Sequence, residues 1–139
     1  MPEPILSEEA KRLAEKRGVG ELAQKMGIEI LELSAERAVG TMPVSGNTQP
    51  RGLLHGGAYL VLGETLGSFA ANVWAGPDAY AVGIEISASH SKSAVDGVVT
   101  GVATAISLGK TLAVHEIVVT NEKGERCSTV RITNLIRKS

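Results

Sequence analysis

A chain of 139 residues holds one hydrophobic core, large enough for a single domain and too short for two. Its 14 Lys and Arg stand against 15 Asp and Glu, a formal net charge of −1 with both signs scattered, so no field draws nucleic acid or an anionic membrane surface. One cysteine, Cys127, excludes an intramolecular disulfide framework, fits a reducing compartment, and reads most simply as a small buried hydrophobe.

The N-terminus, Met1-Pro2-Glu3-Pro4, lacks the basic region and apolar run of a signal peptide, so the expected location is cytoplasmic. Ser7 followed by Glu8 and Glu9 predicts an N-cap with acids in the first turn of an amphipathic helix that turns Leu13 inward. Gly18-Val19-Gly20 interrupts it, and a second short helix from about Glu21 to Met26 stops at Gly27. Together these make an N-terminal helical extension over 1–27. Ile28, Ile30, Leu31 and Leu33 then begin extended structure that leads toward Thr41-Met42-Pro43-Val44. Ser45-Gly46-Asn47-Thr48-Gln49-Pro50 is a loop by its turn residues.

Residues 53–75 are long enough to span a bilayer but contain His55, Glu64, Ser68, Asn72 and several glycines, with no charge asymmetry at the flanks. They are read as the core helix of a soluble domain, ended by Ala75-Gly76-Pro77-Asp78. Every later apolar pattern has period two. Tyr80, Val82, Ile84, Ile86 and Ala88 alternate through His90, and Asp96-Gly97 predicts a hairpin turn into Val98, Thr100, Val102, Thr104 and Ile106. Gly109-Lys110 turns the chain into Leu112 to Val119, and Asn121-Glu122-Lys123-Gly124 delivers it into a last strand from about Arg126 to Ile136. Four long antiparallel strands with one or two earlier ones predict an α+β fold in two layers. A curved antiparallel sheet of five to six strands wraps around one long helix, in a single domain over 1–139.

Within the helical stretch Gly56 to Trp74, Glu64 is the only side chain charged at neutral pH, and no Lys or Arg lies one turn away. A carboxylate leaving water unpaired costs several kcal/mol, so such a group is paired, protonated, or placed where a ligand or another subunit meets it. The segment starts Leu54-His55-Gly56-Gly57, where exposed backbone N–H groups and partial positive charge can hold an oxyanion. A carboxylate with oxyanion donors points to acyl-group chemistry. The alternative for Glu64 is a structural carboxylate hydrogen-bonded among helices, and for Gly56 a glycine needed only for tight passage from loop to helix.

The stretch Thr41-Met42-Pro43-Val44, Gly46-Asn47-Thr48-Gln49-Pro50, Gly52-Leu53-Leu54-His55-Gly56-Gly57-Ala58, Leu62, Glu64-Thr65-Leu66-Gly67-Ser68, then Val82-Gly83-Ile84-Glu85-Ile86 with His90, resembles the hotdog-fold acyl-CoA thioesterases. Within them the chain is most similar to the PaaI-like and Arthrobacter-type hydroxybenzoyl-CoA thioesterase group, which includes the dihydroxynaphthoyl-CoA thioesterases. The resemblance covers about residues 28–136. It implies a hotdog fold and hydrolysis of an acyl-CoA thioester by a homodimer or a dimer-of-dimers tetramer. Neither a metal nor a redox cofactor is implied, coenzyme A being part of the substrate, and the setting would be the catabolism of aromatic compounds.

The resemblance also assigns residues. Glu64 becomes nucleophile or general base, and the Gly56 N–H the donor to the thioester oxygen. The Gln49 amide helps polarise that carbonyl, with a merely solvated loop side chain as its alternative, and His55 lies near the sulfur, with a helix-entry cap as its alternative. Ser68, one helical turn beyond Glu64 on the same face, holds the attacking water or bonds the carboxylate, with close packing as its structural alternative. Coenzyme A would cross strand ends holding His90, Ser91, Lys92 and Ser93 and the turn Leu108-Gly109-Lys110. Lys92 and Lys110 are the phosphate candidates, though exposed lysines at strand ends commonly serve solubility alone. Tyr59 and Phe69 line the acyl pocket or simply pack in the core. His115, in an alternating strand, reads as a core or surface histidine.

Eight residues separate Gly56 from Glu64, about 12 Å along one helix, which is awkward for two groups that must touch one carbonyl. Two such helices antiparallel across a two-fold axis would close the gap, so the expectation is active sites shared between subunits. Two alternatives stay open. Hotdog hydratases and dehydratases also combine a histidine with a helix carboxylate, but use a longer-spaced motif in a Pro- and Gly-rich loop. A non-catalytic acyl-CoA sensor would have no need of Glu64.

Overall fold

The computed structural model describes residues 3–139, the side chains of Lys16 and Arg17 excepted. Residues 1–2 of the predicted extension lie outside that range. The elements in chain order are β1 (Ile5–Leu6), α1 (Glu8–Arg17), α2 (Glu21–Met26), β2 (Glu29–Leu33), β3 (Arg37–Pro43), α3 (Gly56–Ala75), β4 (Ala79–His90), β5 (Val98–Leu108), β6 (Leu112–Thr120) and β7 (Arg126–Lys138). They form one seven-stranded sheet in the order β1-β2-β3-β5-β6-β7-β4, antiparallel except where β1 runs parallel to β2, and α3 lies along it.

Local chemistry sets most boundaries. The Ser7 hydroxyl accepts from Ala10 N at 3.1 Å and caps α1. Gly27 takes the left-handed conformation (φ 77°) that closes α2, where any other residue would be strained. Asn121 Oδ1 accepts from both Lys123 N and Glu125 N and closes the β6–β7 hairpin.

Three expectations are corrected. The sheet has seven strands, not five or six, because Ile5 and Leu6 add a two-residue strand to the edge of β2, with Ser7 N donating to Leu33 O at 3.0 Å. The N-terminal extension is therefore not wholly helical. The central helix starts at Gly56, where the His55-Gly56-Gly57 entry places it, while Leu53 and Leu54 of the longer apolar run belong to the loop, which the Thr48–Leu54 bridge holds closed. Asp96-Gly97 does not join a hairpin, because β4 pairs with β7 while β5 pairs with β3 and β6. Gly97 does turn (φ 69°), but its carbonyl accepts from Val44 N at 2.9 Å, and the segment carries the chain across the sheet.

The core lies between α3 and the face of the sheet on which it packs. Leu62 and Leu66 are fully buried, each worth about 1.5–3 kcal/mol on transfer from water. Small residues bring the layers together: a Cβ on Gly63 would stand 2.7 Å from Val130 Cγ1, and one on Gly67 would overlap Ile132 Cγ2. Cys127 is a buried free thiol, whose burial pushes its ionisation up. His115 is buried; its Nε2 bonds Ala35 O at 2.8 Å, its Nδ1 has no partner among the described residues, and burial lowers its pKa. It is thus a core histidine only half satisfied.

Candidate active site

At the start of α3 one backbone donor is left over. The His55 ring caps the helix, its Nδ1 accepting from Gly57 N at 2.8 Å, so the ring proton of the neutral form sits on Nε2 and points away. Ala58 N is taken by His55 O at 2.9 Å, while the Gly56 N–H finds no acceptor among the described residues. Beside it the Gln49 loop folds on itself. Gln49 N donates to Leu53 O, and Gln49 Oε1 accepts from Arg51 N, which leaves the side-chain NH2 as the free, donating end.

His90, at the end of β4, closes the other side. Its Nδ1 is 2.8 Å from Ser128 Oγ, itself 3.4 Å from Ser89 O, and a Cβ on Gly56 would stand 3.1 Å from His90 Nε2. The chain Ser128 Oγ–H to Ser89 O and His90 Nδ1–H to Ser128 Oγ leaves the Nε2 lone pair facing the helix start. The Tyr59 ring packs against His90 with centroids 4.9 Å apart. Tyr59 itself is buried, its hydroxyl lacks a hydrogen-bond partner of normal geometry, and burial pushes its ionisation up to about 12. A cleft of about 380 Å³ thus gathers Gln49, Gly56, Tyr59, His90, Ser91, Lys92 and Ser93.

Other candidates lie elsewhere. Glu64 is exposed, not buried as the apolar run of α3 suggests, because its side of the helix turns from the core toward β4 at the sheet edge. A Cβ on Gly83 of β4 would come within 2.9 Å of Glu64 Oε2. Ser68, half-buried, donates to Asn134 Oδ1 at 3.3 Å. Phe69 is half-buried and shares a groove of about 330 Å³ with Leu13, Val19, Thr65, Ser68 and Asn72, between the N-terminal segment and α3.

Two phosphate candidates are not free and together in one chain. Lys92 is ion-paired with Glu125 at 2.8 Å, which raises the pKa of the lysine and lowers that of the carboxyl. Gly109 and Lys110 sit at the far end of α3, where Gly109 O accepts from Trp74 Nε1 at 2.8 Å, away from His90 to Ser93.

Sequence reasoning missed Gly83, Ser128 and Asn134. A glycine inside an alternating strand signals a bulge or a close approach, and Gly83 has both. Asn134 and Ser128 share the inward parity of Val130 and Ile132, and a polar residue at an inward position was the available sign.

Residues 51–128 match the family described as the thioesterase superfamily. Among characterised proteins, the proofreading thioesterase EntH of Cronobacter turicensis is 43% identical over 85% of this chain and 87% of its own length. The 1,4-dihydroxy-2-naphthoyl-CoA hydrolase of Escherichia coli is 38% identical over 86% and 88%. Among solved structures, a thioesterase from Haemophilus influenzae superposes with a TM-score of 0.82 at 32% identity, over 91% of this chain and 87% of that one.

Proposed function

The chain belongs to the thioesterase superfamily and is an acyl-CoA thioesterase, and from that premise we propose that it hydrolyses aryl- or arylacetyl-CoA thioesters. The hydroxybenzoyl, hydroxyphenylacetyl and dihydroxynaphthoyl esters are the class meant. The relative named for dihydroxynaphthoyl-CoA supports the aromatic preference. The reaction uses no metal or cofactor, and its cytoplasmic setting is part of the same reading. Among the described residues no helix is long and apolar enough to cross a membrane.

The observation that carries the reading is the cleft at the α3 start, where the Gly56 N–H and the Gln49 amide both remain available as donors. As water or a carboxylate attacks a thioester, negative charge grows on the carbonyl oxygen, and each fixed donor to it is typically worth about 2.7–4 kcal/mol. The His55 Nε2–H, turned outward by its cap, can meet the departing sulfur. Glu64 acts as nucleophile or general base, with Ser68 one turn on.

Glu64 and Gly56 act from different subunits in this reading. β4 is a 12-residue outer strand with one edge unpaired, and Val82 and Ile84 on it are exposed. Such an edge is a template for a second copy. Joining two β4 edges would set two α3 helices side by side and antiparallel, covering Glu64 and placing it toward the partner's helix start. His90, Ser91, Lys92 and Ser93 would border the nucleotide, with Lys110 reaching it from another subunit of a dimer of dimers.

Release of free thiol from a small acyl-CoA panel tests the reading. Hydroxybenzoyl- and hydroxyphenylacetyl-CoA should release thiol faster than acetyl-CoA. Loss of enoyl absorbance without thiol would point to a hydratase, and binding with neither to a sensor.

A further inference from the structure

Behind Glu64 lies a buried polar group that the catalytic set does not use. Asn134 of β7 is 0% exposed, its Oδ1 accepts from Ser68 Oγ at 3.3 Å, and its Nδ2 has no partner among the described residues. Directly across the β4–β7 ladder stands Gly83, at the register shift between Gly83 and Glu85. A Cβ there would lie 2.9 Å from Glu64 Oε2 and 3.7 Å from Asn134 Oδ1, so the carboxylate and the amide converge on space that a glycine leaves open.

We propose that Asn134 is a positioning residue for the attacking water. The inference rests on Glu64 and Ser68 serving the hydrolysis proposed above. A serine hydroxyl has one proton and two lone pairs. With the proton given to Asn134 Oδ1, Ser68 Oγ can only accept from anything else. Side chains four apart on a helix lie about 5–6 Å apart at Cβ, a span that one water covers with two ordinary hydrogen bonds of about 2.8 Å. Such a water has both hydrogens committed, one to Ser68 and one to Glu64, and its lone pair is free for the thioester carbon. Glu64 takes its proton as the C–O bond forms. The C–S bond then breaks, the sulfur leaves as thiolate and takes that proton back from Glu64, and the new carboxylic acid gives its own proton to solvent.

The amide has a cost that packing does not explain. A buried donor without a partner lowers stability, and Asn134 faces Ala113 across the ladder and shares its face with Ile132, where an aliphatic side chain would fit. Local violations of that sort are expected where function holds them in place.

The test is a double-mutant cycle on the full-length enzyme, with kcat and KM measured separately. Asn134→Leu should fold with a thermal midpoint no lower than the parent and lose at least about tenfold in kcat with KM nearly unchanged. In a Ser68→Ala background the same change should have no further effect. A kcat within about twofold of the parent, or an equal loss in both backgrounds, overturns the proposal. When ionised, the carboxylate of Asn134→Asp can only accept from Ser68. That variant should keep most of the parent kcat at high pH and move the acid limb upward, because a second carboxylate then faces Glu64. A folded Asn134→Asp as poor as Asn134→Leu at every pH also overturns it, and Asn134→Asp decides alone should Asn134→Leu not fold. Glu64→Gln and Ser68→Ala separate this from the parent reading: if both stay fully active, the site assignment fails, whereas if both fail and Asn134→Leu does not, only the role of Asn134 is lost.

Discussion

At the scale of single residues, what matters is where the carboxylate rests. Glu64 has no cation beside it among the described residues and leans over Gly83, whose missing side chain makes room for it. Gly83→Ala would press a methyl group against the flexible end of Glu64, so the fold should barely notice, with a thermal midpoint within about 4 °C of the parent. Activity should fall by roughly tenfold to a hundredfold, because an ångström of misplacement at a reacting group is that costly. Melting curves and kcat on one acyl-CoA check both halves. His115 gives a pH prediction. Burial lowers its folded-state pKa below the ordinary value near 6.5, so the unfolded chain takes up the proton first as pH falls. The stability it contributes is complete above about 6.5 and is lost below, by at most about 1.4 kcal/mol per pH unit until the folded-state pKa is passed. Denaturant unfolding at pH 7.5 and pH 5 should show a smaller drop for His115→Gln than for the parent.

At the scale of elements, α3 meets the sheet through glycines. Gly67→Ala gains about 1 kcal/mol in helix propensity, but its methyl group would overlap Ile132 Cγ2, a β-branched side chain with no room to yield. Overpacking of that kind costs about 1–3 kcal/mol, so against the propensity gain we expect a net loss of about 1 kcal/mol, and at most about 2, in denaturant unfolding. The elements also mark how far a sequence can be read. Ser7, Gly27 and the Asn121–Gly124 turn act through their own backbones, and the elements beside them were legible. Asp96-Gly97 was misleading because a turn dipeptide fixes the local bend and not the strand that follows, and β5 found its partners across the sheet. The exposure of Glu64 was illegible for a similar reason. The rest of α3 around it is uncharged and mostly apolar or small, and only the position of β4 at the sheet edge shows that this face is left uncovered in one chain. Gln49, Gly56 and His90 were legible as candidates through their motif, whereas Asn134 and Gly83 required the β4–β7 register.

At the scale of the whole molecule, the fold separates within one chain the groups that the proposed chemistry needs together. The donors proposed for the oxyanion lie at the beginning of α3, Glu64 lies two turns on, and the Gly109-Lys110 turn lies by Trp74 at its end. An unpaired β4 edge bearing exposed Val82 and Ile84 offers the way to reunite them. Charge on that edge should therefore break the proposed assembly and the activity in step. Ile84→Lys is expected to shift the protein toward monomer in sedimentation and to remove thiol release, while its circular dichroism stays that of the parent. The most direct test of the account combines two inactive chains. Glu64→Ala lacks the carboxylate, and Gly56→Pro lacks the N–H donor at a helix position that tolerates proline. Co-expressed in equal amounts, they should recover about a quarter of the parent activity, since half the dimers are mixed and each mixed dimer has one complete site. Thiol release no greater than that of either variant alone would contradict it.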